Sequence, residues 1–582
     1  MQSLRASPAA AAVLMLAILA GGAVFRLADL ANRPMHCDEA VHGIKFGRLL
    51  EEDSYVYNPR EYHGPSLNYL TLPIAWAAGA ERVTEVTETQ LRLVPAVLGI
   101  LLIGLPWLLR RELGLTAMLG AAVLTALSTA MVFFSRYYIQ EMLLVAFTLL
   151  AIAAMWRWAR FLDGPNEDGS GSATENRPCE PANDCAARAE TIPRDANTGM
   201  ESGTVGRLRA IRAGFWLFVL GAAIAMMHAS KETCVLALAA MAAAGVLTLP
   251  GFWRAGWKRC VFSVLLVVLV AAAVSAVFFS SFGKNPSGIV DSYSTYFHYL
   301  GQASGEGSVG RHVQPWHYYF RNLFWWPAGS RGFWSEGFIA VLALVGMTAA
   351  AAGKGLDPRQ RRFALFLSIY TVLLTLIYSV LPYKTPWCSL SFLSSMILLA
   401  GIGAAALLRS LPGVVLKTLG GVVLAAFSAH LGWQAYQASF VFYEHPRNPY
   451  VYSHTTDDVP MLVERIRQVA AHHPDGTAMY VQAICPDHDY WPLPWCLRDF
   501  STVAWLDTIP GGPPALLIIT QPEMEKELLR YLYMAQPPGQ RHLYVPLPPP
   551  EGREEWLFRP NVPIRVYVQL RLWEACRAMG EE

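Results

Sequence analysis

RRELGLTAMLGAAVLTALSTAMVFFSRYYIQEMLLVAFTLLAIAAMWRWAR, residues 110–160, decides how this chain is built. It holds two apolar runs, 115–134 and 141–159, each long enough to cross a bilayer as a helix. The far ends carry Arg110 and Arg111 on one flank and Arg157 and Arg160 on the other. Membrane proteins keep Lys and Arg in the loops that face the cytoplasm. Both basic ends are therefore expected inside, and SRYYIQE (135–141) is an outer turn that holds a cation, Arg136, against that trend.

The same pattern runs outward in both directions. The chain has 582 residues, 54% of them hydrophobic and only 15% charged. With a mean hydropathy of +0.30 it reads as a polytopic membrane protein. Spans are expected near 9–30, 93–109, 115–134, 141–159, 213–228, 233–250, 261–281, 336–353, 363–381, 387–408 and 413–432, about eleven in all. With the N-terminus cytoplasmic, the inner loops gather Arg207, Arg209 and Arg212; Arg254, Lys258 and Arg259; Lys354, Arg359, Arg361 and Arg362; Arg409 and Lys417. The short outer loops carry one cation each: Arg136, Lys231 in HASKET (228–233) and Lys384 in LPYKTPW (381–387). The first run begins after Arg5, has no clear small-residue cleavage site, and reads as an uncleaved span. The location implied is a cell (inner) membrane.

Residues 1–433 form the membrane domain, with outer loops 32–92 and 282–335. Ser66–Ala80 is apolar but short and contains Pro73, so it reads as an interfacial or re-entrant helix. The inner loop 163–206 is rich in Gly, Asn, Glu and Ser without periodicity and reads as disordered. Residues 434–582 are long enough for a small extracytoplasmic α/β domain, with strands at 478–484, 515–520 and 564–570 and helices at 461–473 and 523–535. The fold class is mainly α. A net charge of +2 without a basic block gives no support to nucleic-acid binding. No CxxC pair occurs, which argues against a structural zinc site. Cys485 and Cys496 flank one outer loop and read either as a disulfide or as two unrelated small apolar residues. GIG (401–403) lies inside a span and reads as helix packing rather than a nucleotide loop.

Four clusters carry possible chemistry. MHCDEAVHG (35–43) sets Asp38 and Glu39 between His36 and His42. A carboxylate there can take a proton from an attacking hydroxyl, and Asp38 can equally cap a helix beginning at Ala40. In SRYYIQE, Glu141 opens a span five residues after Arg136, with Tyr137 between them. In HASKET, Lys231 and Glu232 either pair with each other or serve a ligand. In LPYKTPW, two prolines fix a turn that aims Tyr383 and Lys384 at a shared site. Three cations at the outer surface suggest an anion, and a lipid phosphate is the obvious one. In the tail, Trp491 and Trp495 offer flat faces for a sugar and Asp487 and Asp489 accept sugar hydroxyls, unless these loops pack on the membrane or on their own domain.

These motifs resemble the GT-C glycosyltransferases that use polyprenyl-phosphate sugars, such as the protein O-mannosyltransferases and the aminoarabinose transferases of lipid A. HCDEAVHG (36–43), YHGPSLNYL (62–70) with His63, SRYYIQE, YKTPW (383–387) and DYWPLPWCLRD (489–499) are more closely similar to the flippase-associated proteins of archaeal-type N-glycosylation. The resemblance implies an inverting transfer, with Asp38 as general base and Glu39 and His42 supporting it. Arg136, Lys231 and Lys384 would stabilise the departing phosphate. Glu141 would orient them or, with Asp38, hold a divalent ion (Mg or Mn). It implies a donor in the bilayer and a protein or glycan acceptor. Two other readings stand beside it: a flippase or accessory protein for lipid-linked sugars, and a glycan-binding assembly protein of the cell envelope.

Overall fold

The computed structural model describes residues 7–60, 63–162, 197–249, 256–303, 312–327 and 333–578. Among them, eight helices are long and apolar enough to cross a membrane: Pro8–Leu27, Glu88–Leu113, Glu141–Ala159, Arg207–His228, Trp257–Phe279, Pro358–Val380, Pro386–Ser410 and Gly413–Val441. A ninth is a pair, Leu115–Leu127 and Thr129–Ser135, bent by 57°. The two remaining expected spans are the shorter apolar helices Cys234–Thr248 and Gly337–Ala352. At about 1.5 Å per residue these fall short of a ~30 Å hydrocarbon core, so length alone separates eight or nine from the expected eleven. Residues 163–196 of the inner loop read as disordered lie outside the described residues, as do Arg5 and Arg254. Residues 197–206 of that loop are helical and open the helix Asn197–His228.

Burial grades the helices from centre to rim. Of the window tested in Pro386–Ser410, 78% is buried, against 6% in Gly413–Val441 and 11% in Trp257–Phe279. The outer two turn Val414, Val415, Leu265 and Leu269 outward, as helices facing lipid do. The central helix is gripped through its glycines. A Cβ on Gly401 would lie 2.3 Å from the Ala117 carbonyl, and one on Gly403 only 1.9 Å from that of Leu342. GIG is thus a packing motif, as read from the sequence.

The bend has a local cause. Ser128 leaves helical geometry and caps Thr129–Ser135 through the amide of Met131. Buried Glu336 accepts from the Ser128 hydroxyl at 2.8 Å, the Ala130 amide at 2.6 Å and the Tyr450 hydroxyl at 3.2 Å. A carboxylate at a helix N-terminus takes up amides that have no partner in the helix. The short helix so fixed ends at Ser135, and Arg136 and Tyr137 follow in the next turn.

Two short helices stand in the first loop, Cys37–Glu52 and Ser66–Ala77. The second, 12 residues with Pro73 inside, is too short to span. Beyond the last membrane helix lies a small mixed sheet in the order Val503–Leu506, Val481–Ile484, Leu517–Thr520, Val562–Gln569, Tyr544–Pro546. The first three strands run parallel and Val562–Gln569 is antiparallel to its neighbours. Trp556–Arg559 also pairs with Val562–Gln569. The three expected strands are all present. Expected helix 461–473 appears as Asp458–Ala470, and 523–535 as Glu525–Arg530 continued by a wider turn to Ala535. The strands Val503–Leu506, Tyr544–Pro546 and Trp556–Arg559 were not expected from the sequence.

Candidate functional site

The site starts from one capping decision. Helix Cys37–Glu52 is capped by His36, not by Asp38, and starts three residues earlier than the sequence suggested. The Asp38 amide donates to His36 Nδ1 at 3.1 Å, and the His36 amide donates to Glu39 Oε2 at 3.1 Å. This reciprocal pair satisfies the helix start and leaves the Asp38 side chain free of capping duty. Its carboxylate is 44% exposed, whereas that of Glu39 is wholly buried.

Glu39, expected among the catalytic acids, is a structural anion. It accepts from Arg92 Nε at 2.8 Å, Arg92 Nη2 at 2.9 Å and the Tyr138 amide at 2.9 Å, with Arg33 Nη2 at 3.4 Å. Burial pushes its carboxyl up, but Arg92 and Arg33 outweigh that and hold it at about 2. A group so acidic cannot act as a base near neutral pH. Two adjacent acids thus take opposite roles through their surroundings.

The three cations expected to face outward also divide. Arg136 donates to the carbonyls of Phe25 (3.1 Å), Ala28 (2.5 Å) and Asp29 (3.0 Å), and so closes the C-terminal end of the first span. Lys384 donates to Gln314 O at 3.1 Å and to Leu381 O, and is buried. Both are spent on loop carbonyls. Lys231 is ion-paired with Glu141, both buried. Burial pushes the Lys231 ammonium down, but Glu141 outweighs it and raises it well above its ordinary value. Glu232 does not pair with Lys231; it accepts from His63 Nδ1 at 2.7 Å and from the Tyr57 hydroxyl at 3.1 Å. His42 is buried beside Gln140 Nε2 at 3.3 Å. Burial, with His63, Lys45 and Lys231 nearby, keeps it well below its ordinary value and therefore neutral.

Asp38 raises the Tyr383 phenol beyond the effect of burial, and Lys231 lowers it, so the ring stands in the field of both. Tyr452 is pushed up to about 12 by burial, Asp38 and Cys37. Around them, His36 Nε2 lies 2.8 Å from Tyr452 O, and the Tyr452 hydroxyl lies 2.7 Å from His312 Nδ1. The His312 ring is 4.8 Å from that of Tyr383. Tyr452 and His312 were missed as site residues, although NPYVYSHTTDD (448–458) and the aromatic loop at 312 stand out in the sequence. Tyr137 is fully buried, its ring 3.3 Å under the Arg33 guanidinium, which leaves it no face for substrate.

The C-terminal part reaches the same place. Asp489 pairs with Arg559 at 2.5 Å and accepts from Gln521 at 3.3 Å. Cys37 feels both Arg559 and Asp489 as well as Asp38. Arg559 had no signal in the sequence. Trp495, expected as a sugar platform, is instead fully buried and donates its indole N–H to Glu88 at 2.7 Å. A Cβ on Gly43 would touch its ring at 2.7 Å, so the glycine makes the seat. Trp491 is partly buried against the same cluster. Cys485 and Cys496 are free thiols. Cys485 faces Asp489 and Arg559, Cys496 faces Glu88 and Arg467, and no disulfide joins them.

His36, Cys37 and Asp38 offer ligand atoms within 4.8 Å of one another. The fit to a metal is poor. His36 Nδ1 accepts the Asp38 amide, which leaves Nε2–H to donate to Tyr452 O. Glu141, the other expected ligand, is held by Lys231. Asp38 alone keeps an open carboxylate.

Residues 67–169 match the family described as dolichyl-phosphate-mannose-protein mannosyltransferase. No curated protein matches the chain by sequence. Among solved structures, ArnT from Cupriavidus metallidurans bound to undecaprenyl phosphate superposes with a TM-score of 0.56 at 14% identity, over 96% of this chain and 98% of that one. The oligosaccharyltransferase AglB from Archaeoglobus fulgidus, in complex with an inhibitory peptide and a dolichol-phosphate, gives 0.52 at 12%, over 97% and 77%. The Archaeoglobus fulgidus oligosaccharyltransferase in complex with Zn and sulfate gives 0.51 at 13%, over 90% and 69%. The chain has the GT-C fold of these membrane glycosyltransferases, and over 67–169 it carries the sequence signature of that mannosyltransferase family.

Proposed function

We propose that this protein transfers a sugar from a polyprenyl-phosphate donor to an acceptor hydroxyl at the outer face of the membrane, with inversion and with Asp38 as the base. The observation that carries the reading is the exposed Asp38 carboxylate, released from capping by His36, with the Tyr383 ring in the field of both Asp38 and Lys231. The acceptor proton passes to Asp38 as its oxygen attacks the anomeric carbon. The bond to phosphate breaks on the opposite face. The phosphate gains charge as it leaves, so Lys231 stabilises the transition state more than the bound donor. Arg136 and Lys384 act one step back, by fixing the loops that present Tyr383 and the outer turn. Asp489, Arg559 and Trp491 border the acceptor side. This orientation has the N-terminus cytoplasmic and the C-terminal sheet domain extracytoplasmic. The acceptor is a protein or a glycan. A divalent ion would find one open carboxylate, Asp38, and the transfer is derived without it.

The test is Asp38→Asn in purified, detergent-solubilised protein supplied with dolichyl phosphate mannose. Loss of a positioned base costs about 10²–10⁴ in rate, while undecaprenyl phosphate should bind the variant as it binds wild type. Full activity in the variant removes Asp38 from the mechanism. Retained lipid-sugar translocation without any transfer in wild type would favour the flippase reading.

A further inference from the structure

The dyad of His63 and Glu232 is built with more care than a chance surface contact. The loop bearing His63 is laid on the HASKET turn: Gly64 N donates to Ser230 O at 3.2 Å and Ser66 N to Ala229 O at 2.9 Å. The Ser66 and Ser230 hydroxyls meet at 2.8 Å. A Cβ on Gly64 would lie 2.2 Å from the Ala229 carbonyl oxygen, so only glycine permits the contact. The result holds His63 Nδ1 2.7 Å from Glu232 Oε2, whose other oxygen takes the Tyr57 hydroxyl. Glu232 is 6% exposed and His63 28%. Burial pushes Glu232 up, but His63 and Lys231 outweigh it, and the carboxyl stays below its ordinary value. An anionic Glu232 fixes the tautomer and aim of the ring, with Nδ1–H on the carboxylate and Nε2 pointing away. Among the described residues Nε2 has no partner. The groups around it are Glu232 and Lys231 on one loop, neutral His42 and Lys45 on helix Cys37–Glu52, and Tyr55 and Tyr57 beyond it. The His42 and His63 rings are 6.3 Å apart. Lys231 is itself paired with Glu141.

We propose that His63 is the general acid of the transfer: its Nε2–H, aimed by Glu232, protonates the phosphate oxygen that leaves the anomeric carbon. This rests on the glycosyltransferase reading above. The acceptor O–H proton goes to Asp38 and the acceptor oxygen bonds to carbon. The carbon–oxygen bond to phosphate breaks with its electron pair on that oxygen, which takes the proton from His63. Solvent then returns a proton to His63 and removes one from Asp38. Glu232 is a positioning residue, acting only through the ring.

The experiment measures binding of undecaprenyl phosphate, the leaving group itself, to full-length protein. Wild type, His63→Gln, His63→Lys and Glu232→Gln are compared, each checked for an unchanged melting temperature. His63→Gln should bind about tenfold more weakly than wild type, the loss of one charge-assisted hydrogen bond, and His63→Lys should restore most of that affinity. Glu232→Gln should weaken binding in the wild-type background and change nothing further in His63→Gln. Unchanged binding in His63→Gln overturns the proposal while the transferase reading stands. Failure of wild type to bind the lipid overturns both.

Discussion

Trp495 of the C-terminal domain donates its indole N–H to Glu88 at the start of the second span, 2.7 Å away. The ring is buried, its neighbour Arg498 stacks on it at 4.1 Å, and Arg498 also donates to Val86 O at 3.0 Å. This anchor ties the sheet domain, which carries Asp489 and Arg559, to the start of the second span.

Trp495→Ala should therefore cost about 3–5 kcal/mol, the usual penalty for deleting a buried aromatic. Melting curves of detergent-solubilised protein check this. Limited proteolysis should release the C-terminal part first. Trp495→Phe keeps most of the packing and should lose only the hydrogen bond, about 1 kcal/mol.

Glu39 ties acid stability to one group. Its folded carboxyl sits at about 2 against an ordinary 4.5. A depressed acid contributes stability that is full above about pH 4.5 and is lost as pH falls towards 2. The shift amounts to roughly 3 kcal/mol. Wild-type melting temperature should drop between pH 5 and pH 3. Glu39→Gln should be less stable at pH 6 and show a flatter acid limb.

Breaking the buried Lys231–Glu141 pair on one side leaves an uncompensated charge. Lys231→Met or Glu141→Leu alone should lose about 3–5 kcal/mol, and the double variant should regain much of it. On the proposed reading, sugar transfer should be lost in Lys231→Met and in the double variant, both of which lack the cation for the departing phosphate. Recovery of transfer in the double variant would reduce Lys231 to a structural part.

Chelation gives a fourth check. With His36 committed at both ring nitrogens and Glu141 held by Lys231, EDTA should leave the transfer rate unchanged. A loss restored by Mg or Mn would assign Asp38 to a metal instead of a proton.

The sequence located the loops of this site better than it assigned their residues. Hydropathy and the sidedness of Arg and Lys are local signals, so the helices, the outer turns and the short Pro73 helix were legible. The division of labour between Asp38 and Glu39 was not. It depends on Arg92, 53 residues from Glu39, and on a histidine cap that composition disfavours. Arg136 and Lys384 stood out as cations facing outward, but a charge in the sequence does not say whether a carbonyl already accepts from it. Tyr452 reaches His36, and Arg559 acts on Cys37, by chain paths more than 400 residues long, which no motif spacing records.

Glu336 gives the assembly an order in time. Its carboxylate holds the kink at Ser128 and also takes the Tyr450 hydroxyl, which lies 114 residues further along. A ribosome has therefore threaded nearly every helix into the bilayer before that carboxylate gains its last partner. Until then the kink at Ser128, and with it the turn at Arg136 that follows, lacks one of its braces.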